Sequence, residues 1–239
     1  MAVLSDSSRR GWLAGVAQGV PIVMGYVPIG LAYGVLAQKA GLSALNTLMM
    51  SLIVFAGSSQ FIAVGLFAAS APAASIILTT FVVNLRHLLM SAAISPFLKP
   101  WRRFQLAAFA YQLTDETFAV HVARFASLGP DKAEAFMVNG LAQSAWVLGT
   151  ALGVMLGRAI ADVEPLGLDY ALPAMFIALL VLQIEHRLHV GVACLAGAVA
   201  VGLSLVGVDQ WSVIIATVLG ATAGVIGERW INKPSPQRP

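Results

Sequence analysis

A single cysteine, Cys194, is all that the 239 residues contain, so an intrachain disulfide is excluded, and no Cys/His spacing suggests a metal site. Charge is equally scarce. Asp, Glu, Lys and Arg make up 10% of the chain, against about 25% in a soluble domain, and residues 40 to 85 carry none of them. No nucleophile elbow, His-Glu-x-x-His pair or glycine-rich phosphate loop occurs, so enzymatic catalysis has no positive support and no cofactor is implied. No Pro/Ser-rich linker divides the chain into parts. The net charge of +3 lies largely in termini and loops, which suits a membrane topology signal and gives no reason to expect nucleic-acid binding.

What fills the chain instead is apolar: 59% hydrophobic residues and a mean hydropathy of +0.84. The expected fold is all-α, a polytopic integral membrane helix bundle in one domain over 1–239. Stretches of about 20 apolar residues cross the hydrocarbon core, and they fall at 11–38, 45–69, 74–96, 104–122, 135–156, 168–184, 189–206 and 211–226. Seven or eight crossings are compatible with this, eight being preferred. The first stretch follows Arg9-Arg10, is too long for a signal peptide and lacks a small-residue cleavage site, so it is expected to stay in the mature chain. Pro21 and Pro28 predict a kink or break in it. Gly57 predicts another in the second stretch.

Basic residues at Arg9-Arg10 and at Arg229 and Lys233 put both termini in the cytoplasm. The amino-terminal half fits this rule badly. Three full crossings after Arg9-Arg10 place the Lys99-Pro100-Trp101-Arg102-Arg103 loop outside, unless the loop is an exception or one interrupted segment enters and leaves on the same side. Trp101, Trp211 and Trp230 sit at span ends and read as interfacial anchors.

Polar residues inside the apolar spans mark the candidate site. Asn84-Leu85-Arg86-His87 interrupts a long apolar segment, and a cation at the centre of a membrane helix costs at least about 2.5–3.5 kcal/mol. Thr80, Asn84, His87 and Ser91 share an arc of about 60° on an ideal helix, whereas Arg86 points about 100° or more away, which implies a local break or a different partner. Gly57, Ser58, Ser59 and Gln60 combine flexibility, hydroxyls and an amide at mid-span. A helix broken there would expose backbone N–H and C=O groups to a ligand's charged ends. The plainer reading is that these small and polar residues hold helices together. Asp115 and Glu116 place adjacent carboxylates in the least hydrophobic span, where burial and mutual repulsion favour proton exchange; the alternative is a surface pair facing Arg102, Arg103 or Arg124. His87 is a further proton-carrier candidate. Glu185, His186, Arg187 and His189 read as a solvated loop, and Asp169 as an acid in a helix's first turn.

Several of these motifs occur together in a known family. Phe55-Ala56-Gly57-Ser58-Ser59-Gln60-Phe61, Asn84-Leu85-Arg86-His87-Leu88-Leu89, Leu113-Thr114-Asp115-Glu116-Thr117-Phe118 and Gly167-Leu168-Asp169-Tyr170-Ala171, with Gly25-Tyr26-Val27-Pro28-Ile29-Gly30 before them, resemble in order and spacing the AzlC family, the large subunit of bacterial branched-chain amino-acid exporters. Met90 and Ser59 depart mildly from the family pattern. The resemblance implies a bacterial inner-membrane exporter of valine, leucine, isoleucine and methionine that works with a small AzlD-like membrane subunit.

The residues are compatible with that. A zwitterion needs a group for its carboxylate, such as Arg86 or N–H groups near Gly57, and one for its ammonium, such as Asp115, Glu116 or free carbonyls near Pro21 and Pro28. No nucleotide-binding element is present, so proton coupling is the expected drive. Competing classes are a channel or pore for a small solute or ion, and a subunit inactive without its partner. Substrate ranking, proton stoichiometry and oligomeric state are left open.

Overall fold

A computed structural model describes residues 2–157 and 186–231, with isolated positions between 159 and 184. Every regular element among the described residues is a helix. The chain divides into two compact units, Met1–Ile76 with Val83–Leu172, and Ile77–Val82 with Pro173–Pro239. Among the described residues four helices are long and apolar enough to cross a membrane: Gly11–Lys39, Ala73–Leu98, Lys132–Gly157 and Arg187–Leu205.

The first unit is organised around α1 (Ala2–Lys39) and α7 (Lys132–Gly157). Gly11 meets Asp131 and Ala133, Gly19 meets Leu141, Gly34 meets Thr150 and Val154, and Gly157 meets Gln38, so the two helices run parallel along their whole contact. Glycine is required at the tightest points. A β-carbon at Gly34 would lie 2.4 Å from the Thr150 carbonyl oxygen, and one at Gly153 only 2.1 Å from that of Leu31. This is small-residue packing of the kind that lets membrane helices approach closely. α1 continues through Pro21 and Pro28, so the break considered for this stretch is not found. Both residues lie on its exposed side, and the glycine seam packs the helix against α7 on either side of them.

Between α1 and α7 the chain makes two helical hairpins and one long helix. α2 (Ala44–Met49) continues as a π-helical turn (Met50–Val54), and α3 (Gly57–Ala68) follows. Leu42 bonds the end of α1 through Ala37, Met50 meets the Tyr33 hydroxyl at 3.6 Å, and Phe55 meets Tyr26 at 6.5 Å, so this arm descends alongside α1 towards its middle. α3 then returns: Phe61 packs on Tyr33 at 5.6 Å, and Phe67 shares a recess with Leu42, Asn46 and Met49. The tip is Phe55-Ala56, where Phe55 adopts a left-handed backbone (φ 43°) that an aromatic residue rarely tolerates. Complete burial of its ring and a backbone bond to Met50 hold it there.

The second hairpin enters from the opposite end. The long helix α4 (Ala73–Ile94) ends in a short 3-10 turn (Ser95–Leu98), which packs with Trp101, Phe109, Phe125 and Ala135. From there α5 (Arg103–Tyr111) rises and α6 (Asp115–Leu128) descends. Trp101 stacks on Phe136 at 5.6 Å, and Gln112 bonds Gln143 at 2.8 Å. On the way back His121 meets Asn139 at 2.8 Å and Arg124 meets Glu134 at 2.6 Å. The two tips touch, the Tyr111 hydroxyl donating to the Leu52 carbonyl.

Neither 45–69 nor 104–122, each read as one span, is therefore a single helix. Arms of 9 to 14 residues rise about 14–21 Å at 1.5 Å per residue, about half the thickness of a bilayer core or a little more. Trp101, expected as an interfacial anchor, is instead buried between Phe109 and Phe136, with the Lys132 ammonium over its ring.

The second unit contains the antiparallel pair α8 (Arg187–Leu205) and α9 (Asp209–Ile231), with Leu188 opposite Gly227, Val192 opposite Gly224 and Ala196 opposite Gly220. The 168–184 span lies mostly outside the described residues, as do Asp169 and Glu185.

Candidate functional site

The hairpin tips bring the start of α3, the start of α6 and the middle of α4 together. α3 starts at Gly57 because the reversal at Phe55-Ala56 ends the preceding turn; its N-cap, Ala56, offers no side-chain acceptor to the first amides. α6 starts at Asp115 because Thr114 caps it, exchanging bonds with the backbone and side chain of Thr117, and its first turn carries Asp115 and Glu116 where the helix dipole favours acids.

Arg86 joins the two starts. One terminal nitrogen of its guanidinium lies 2.7 Å from Asp115 Oδ2, and the other donates to the Ser58 hydroxyl. The ion pair is about a quarter exposed, at 27% for Arg86 and 22% for Asp115. Arg86 Nε is buried with no hydrogen-bond partner, and so is Asn84 Oδ1 on the same helix. Arg86 therefore has left the Asn84–His87 stripe for a different partner, and α4 stays helical through it. His87 places Nδ1 within 3.3 Å of the Asn84 carbonyl on its own helix.

The adjacent acids point to different partners. Asp115 faces a cation, whereas Glu116 accepts a hydrogen bond from the Tyr26 hydroxyl of α1, which also lies 2.7 Å from Thr114 Oγ1. Arg124, considered as a partner for these acids, instead holds Glu134 through two nitrogens.

Gln60 and Ser59 are engaged in holding the first tip. Trp146 Nε1 donates to Gln60 Oε1 at 3.0 Å, Gln60 Nε2 donates to Ser51 at 3.1 Å, and Ser51 pairs with Thr150 at 2.8 Å, all buried. Ser59 donates to the Ala56 carbonyl. Gly57 lies against the Trp146 ring, leaving no space for a β-carbon. Tyr26 and Phe61 meet Trp146 edge-on and Tyr33 stacks on it, so an aromatic wall flanks the polar centre.

Sequence reasoning singled out Ser58, Arg86, Asp115 and Glu116, and the structure gathers them within one junction. It missed Tyr26, Ser51, Trp146 and Thr150. Tyr26 had a signal, its position between two glycines ahead of Pro28. Trp146, alone among the tryptophans in lying at the middle of a span, had one too.

The family model described as AzlC protein matches residues 21–160, more than half of the chain. The chain belongs to the AzlC family. The matched AzlC region contains both hairpins, α4, α7 and every residue of the junction. Among curated relatives, an uncharacterized membrane protein of Archaeoglobus fulgidus is 37% identical over 212 residues, covering 86% of this chain and 90% of the relative. The inner membrane protein YgaZ of Escherichia coli is 30% identical over 223 residues, covering 90% and 88%. The branched-chain amino acid transport protein AzlC of Bacillus subtilis is 27% identical over 194 residues, covering 80% and 76%. No solved structure matches. With its long apolar helices, this AzlC chain is a membrane protein with a role in transport.

Proposed function

We propose that this chain is a secondary transporter that exports branched-chain and other neutral apolar amino acids, including valine, leucine, isoleucine and methionine, across the bacterial inner membrane by proton coupling. The observation that carries the reading is Arg86, a cation held between two hairpin tips with its Nε unpartnered. A substrate carboxylate competes with Asp115 for the guanidinium, where Ser58 and the uncapped amides of α3 add donors. The displaced Asp115 is then free for the substrate ammonium, and the aromatic wall around Trp146 suits an apolar side chain. Glu116, bonded to a phenol and not to a cation, is the carboxyl assigned to proton exchange. Gly57, Ser59, Gln60, Asn84 and His87 support the junction from its edges.

The hairpins support a topology of three crossings, α1, α4 and α7, with one hairpin entering half-way from each face. Parallel α1 and α7 require an odd number of crossings between them, and α4 supplies it. Lys99, Arg102, Arg103 and Lys132 then lie on the same side as Arg9-Arg10, which removes the conflict with the positive-inside rule. Both termini are assigned to the cytoplasm, with crossings beyond α7 returning the chain there. A small AzlD-like membrane subunit completes the reading, on the strength of the family resemblance.

Leucine efflux from loaded proteoliposomes, with and without a pH gradient and with and without the companion subunit, tests this. Saturable, gradient-driven efflux that Arg86→Ala abolishes and Arg86→Lys weakens at least about tenfold is expected, since lysine keeps the charge but loses the planar fork. Passive unsaturable flux would indicate a channel, and normal export by Arg86→Ala would remove the binding role.

A further inference from the structure

A line of buried polar groups leaves the junction along α6 and ends at an imidazole to which the transport reading gives no part. The Tyr26 hydroxyl bonds Glu116 and lies 2.7 Å from Thr114 Oγ1, and Thr114 Oγ1 lies 3.2 Å from Thr117 Oγ1. All three hydroxyl residues are buried. His121 follows Thr117 by four residues on the same buried face, with about 5–6 Å expected between β-carbons, a gap that one bridging water spans. Its Nε2 lies 2.8 Å from Asn139 Oδ1, and the Asn139 amide nitrogen is buried with no hydrogen-bond partner. Phe109 and Phe125 pack on the imidazole ring. A histidine in an aromatic core, next to an amide with an unused donor, is a costly arrangement for packing alone.

We propose that His121 is a proton-relay residue, and that Tyr26, Thr114 and Thr117 form the wire joining it to Glu116 on the side of the membrane where α1 begins. The inference rests on the proton-coupled reading above. In one passage Glu116 gives its proton to the Tyr26 oxygen, each hydroxyl passes its own proton on, the bridging water takes the Thr117 proton and gives up one of its own, and His121 takes the last, becoming an imidazolium. Net transfer is one proton, every hydroxyl ends neutral, and the reverse passage reloads Glu116. Hydroxyls rotate between donating and accepting, which the passage requires. The charged groups beside His121 are the Arg124–Glu134 pair, Glu116 stands at the far end of the wire, and α5 presents Phe109 to the ring. Asn139 keeps a hydrogen bond to the ring in either protonation state by offering its oxygen to an N–H.

Reconstituted protein, with its companion subunit where flux needs one, tests the relay by comparing pH-gradient-driven leucine efflux with leucine–leucine exchange, which moves no net proton. His121→Gln keeps a donor for Asn139 but cannot titrate. It is expected to lower gradient-driven efflux at least about tenfold while leaving exchange within about twofold. Thr117→Val is expected to give the same split and Thr117→Ser, which keeps the hydroxyl for both cap and wire, to restore it; spared exchange in Thr117→Val separates loss of the wire from loss of the α6 cap. Should His121→Gln fail to fold, the threonine pair carries the test. Full gradient-driven efflux in His121→Gln, or equal loss of efflux and exchange in Thr117→Val, overturns the relay while leaving the transporter reading intact. Wild-type efflux indifferent to the gradient overturns both.

Discussion

An arginine midway along an apolar helix needs an anion, and Asp115 supplies one from the far hairpin. Removing that anion leaves a desolvated cation. Asp115→Asn should lower stability by about 3 kcal/mol, the lower end of the cost of breaking a buried pair, because water reaches part of the site. Replacing both partners, as Arg86→Met with Asp115→Leu, should recover most of the melting temperature in detergent yet export nothing. Recovery of export by that double variant would show that the pair serves packing only. Gly57 gives a second prediction at this scale. A β-carbon there falls 2.8 Å from the Trp146 ring, so Gly57→Ala should cost about 1–3 kcal/mol and disturb the Trp146–Gln60 bond, read as a shift in tryptophan emission. An unshifted spectrum at wild-type stability would contradict the contact.

Among elements, the α1–α7 seam dominates the first unit. Gly34→Ala and Gly153→Ala each drive a methyl into a carbonyl of the opposing backbone, whereas Gly140→Ala meets nothing within 4 Å. Thermal unfolding in detergent should therefore separate the first two, destabilised by about 3 kcal/mol or more, from the third, unchanged or slightly stabilised by the gain in helix propensity. Equal melting of all three would mean that the seam is looser than described. The sequence made the long helices legible, because apolar length is a local property: 74–96 and 135–156 fall within α4 with its 3-10 turn and within α7. It also made the junction legible through Ser58, Arg86 and Asp115, since isolated polar groups in apolar segments are costly. The first hairpin was legible only as a break expected at Gly57 and as one of two ways out of the charge conflict, and the second was read as a single span. Two arms that fold back have the same composition as one helix that crosses, and the start of α6 is marked only by Thr114 capping ahead of two acids, a signal easily read as a polar stretch within one span. Partners such as Trp146 with Gln60, 86 residues apart, are set by tertiary packing that no local pattern records.

For the whole molecule, the arrangement makes a labelling pattern that an all-crossing bundle cannot match. In a Cys194→Ser background, cysteines at Ser43 and Ala71, which flank the first hairpin, should both react with an impermeant maleimide added outside intact cells. Cysteines at Lys99 and Asp131, which flank the second, should both react only after the membrane is opened. If Ser43 and Ala71 label from opposite sides, the first hairpin spans the bilayer and the topology fails. The exposed apolar side chains of α4, among them Leu85, Leu88 and Leu89, are then surfaces for lipid, the ordinary environment of such residues in a membrane helix.

The parallel seam also dictates an order of events during synthesis. α1 leaves the ribosome first, but the glycines it packs against lie at 149, 153 and 157. The hairpin arms are each too short to partition into lipid as independent spans, so they have no stable site until α7 has been made and docked. Nascent chains halted before Gly157 should remain open to the membrane's quality-control proteases, and chains released just beyond it should abruptly become resistant. A gradual gain of resistance with chain length would instead show that the hairpins settle without the Gly149, Gly153 and Gly157 seam.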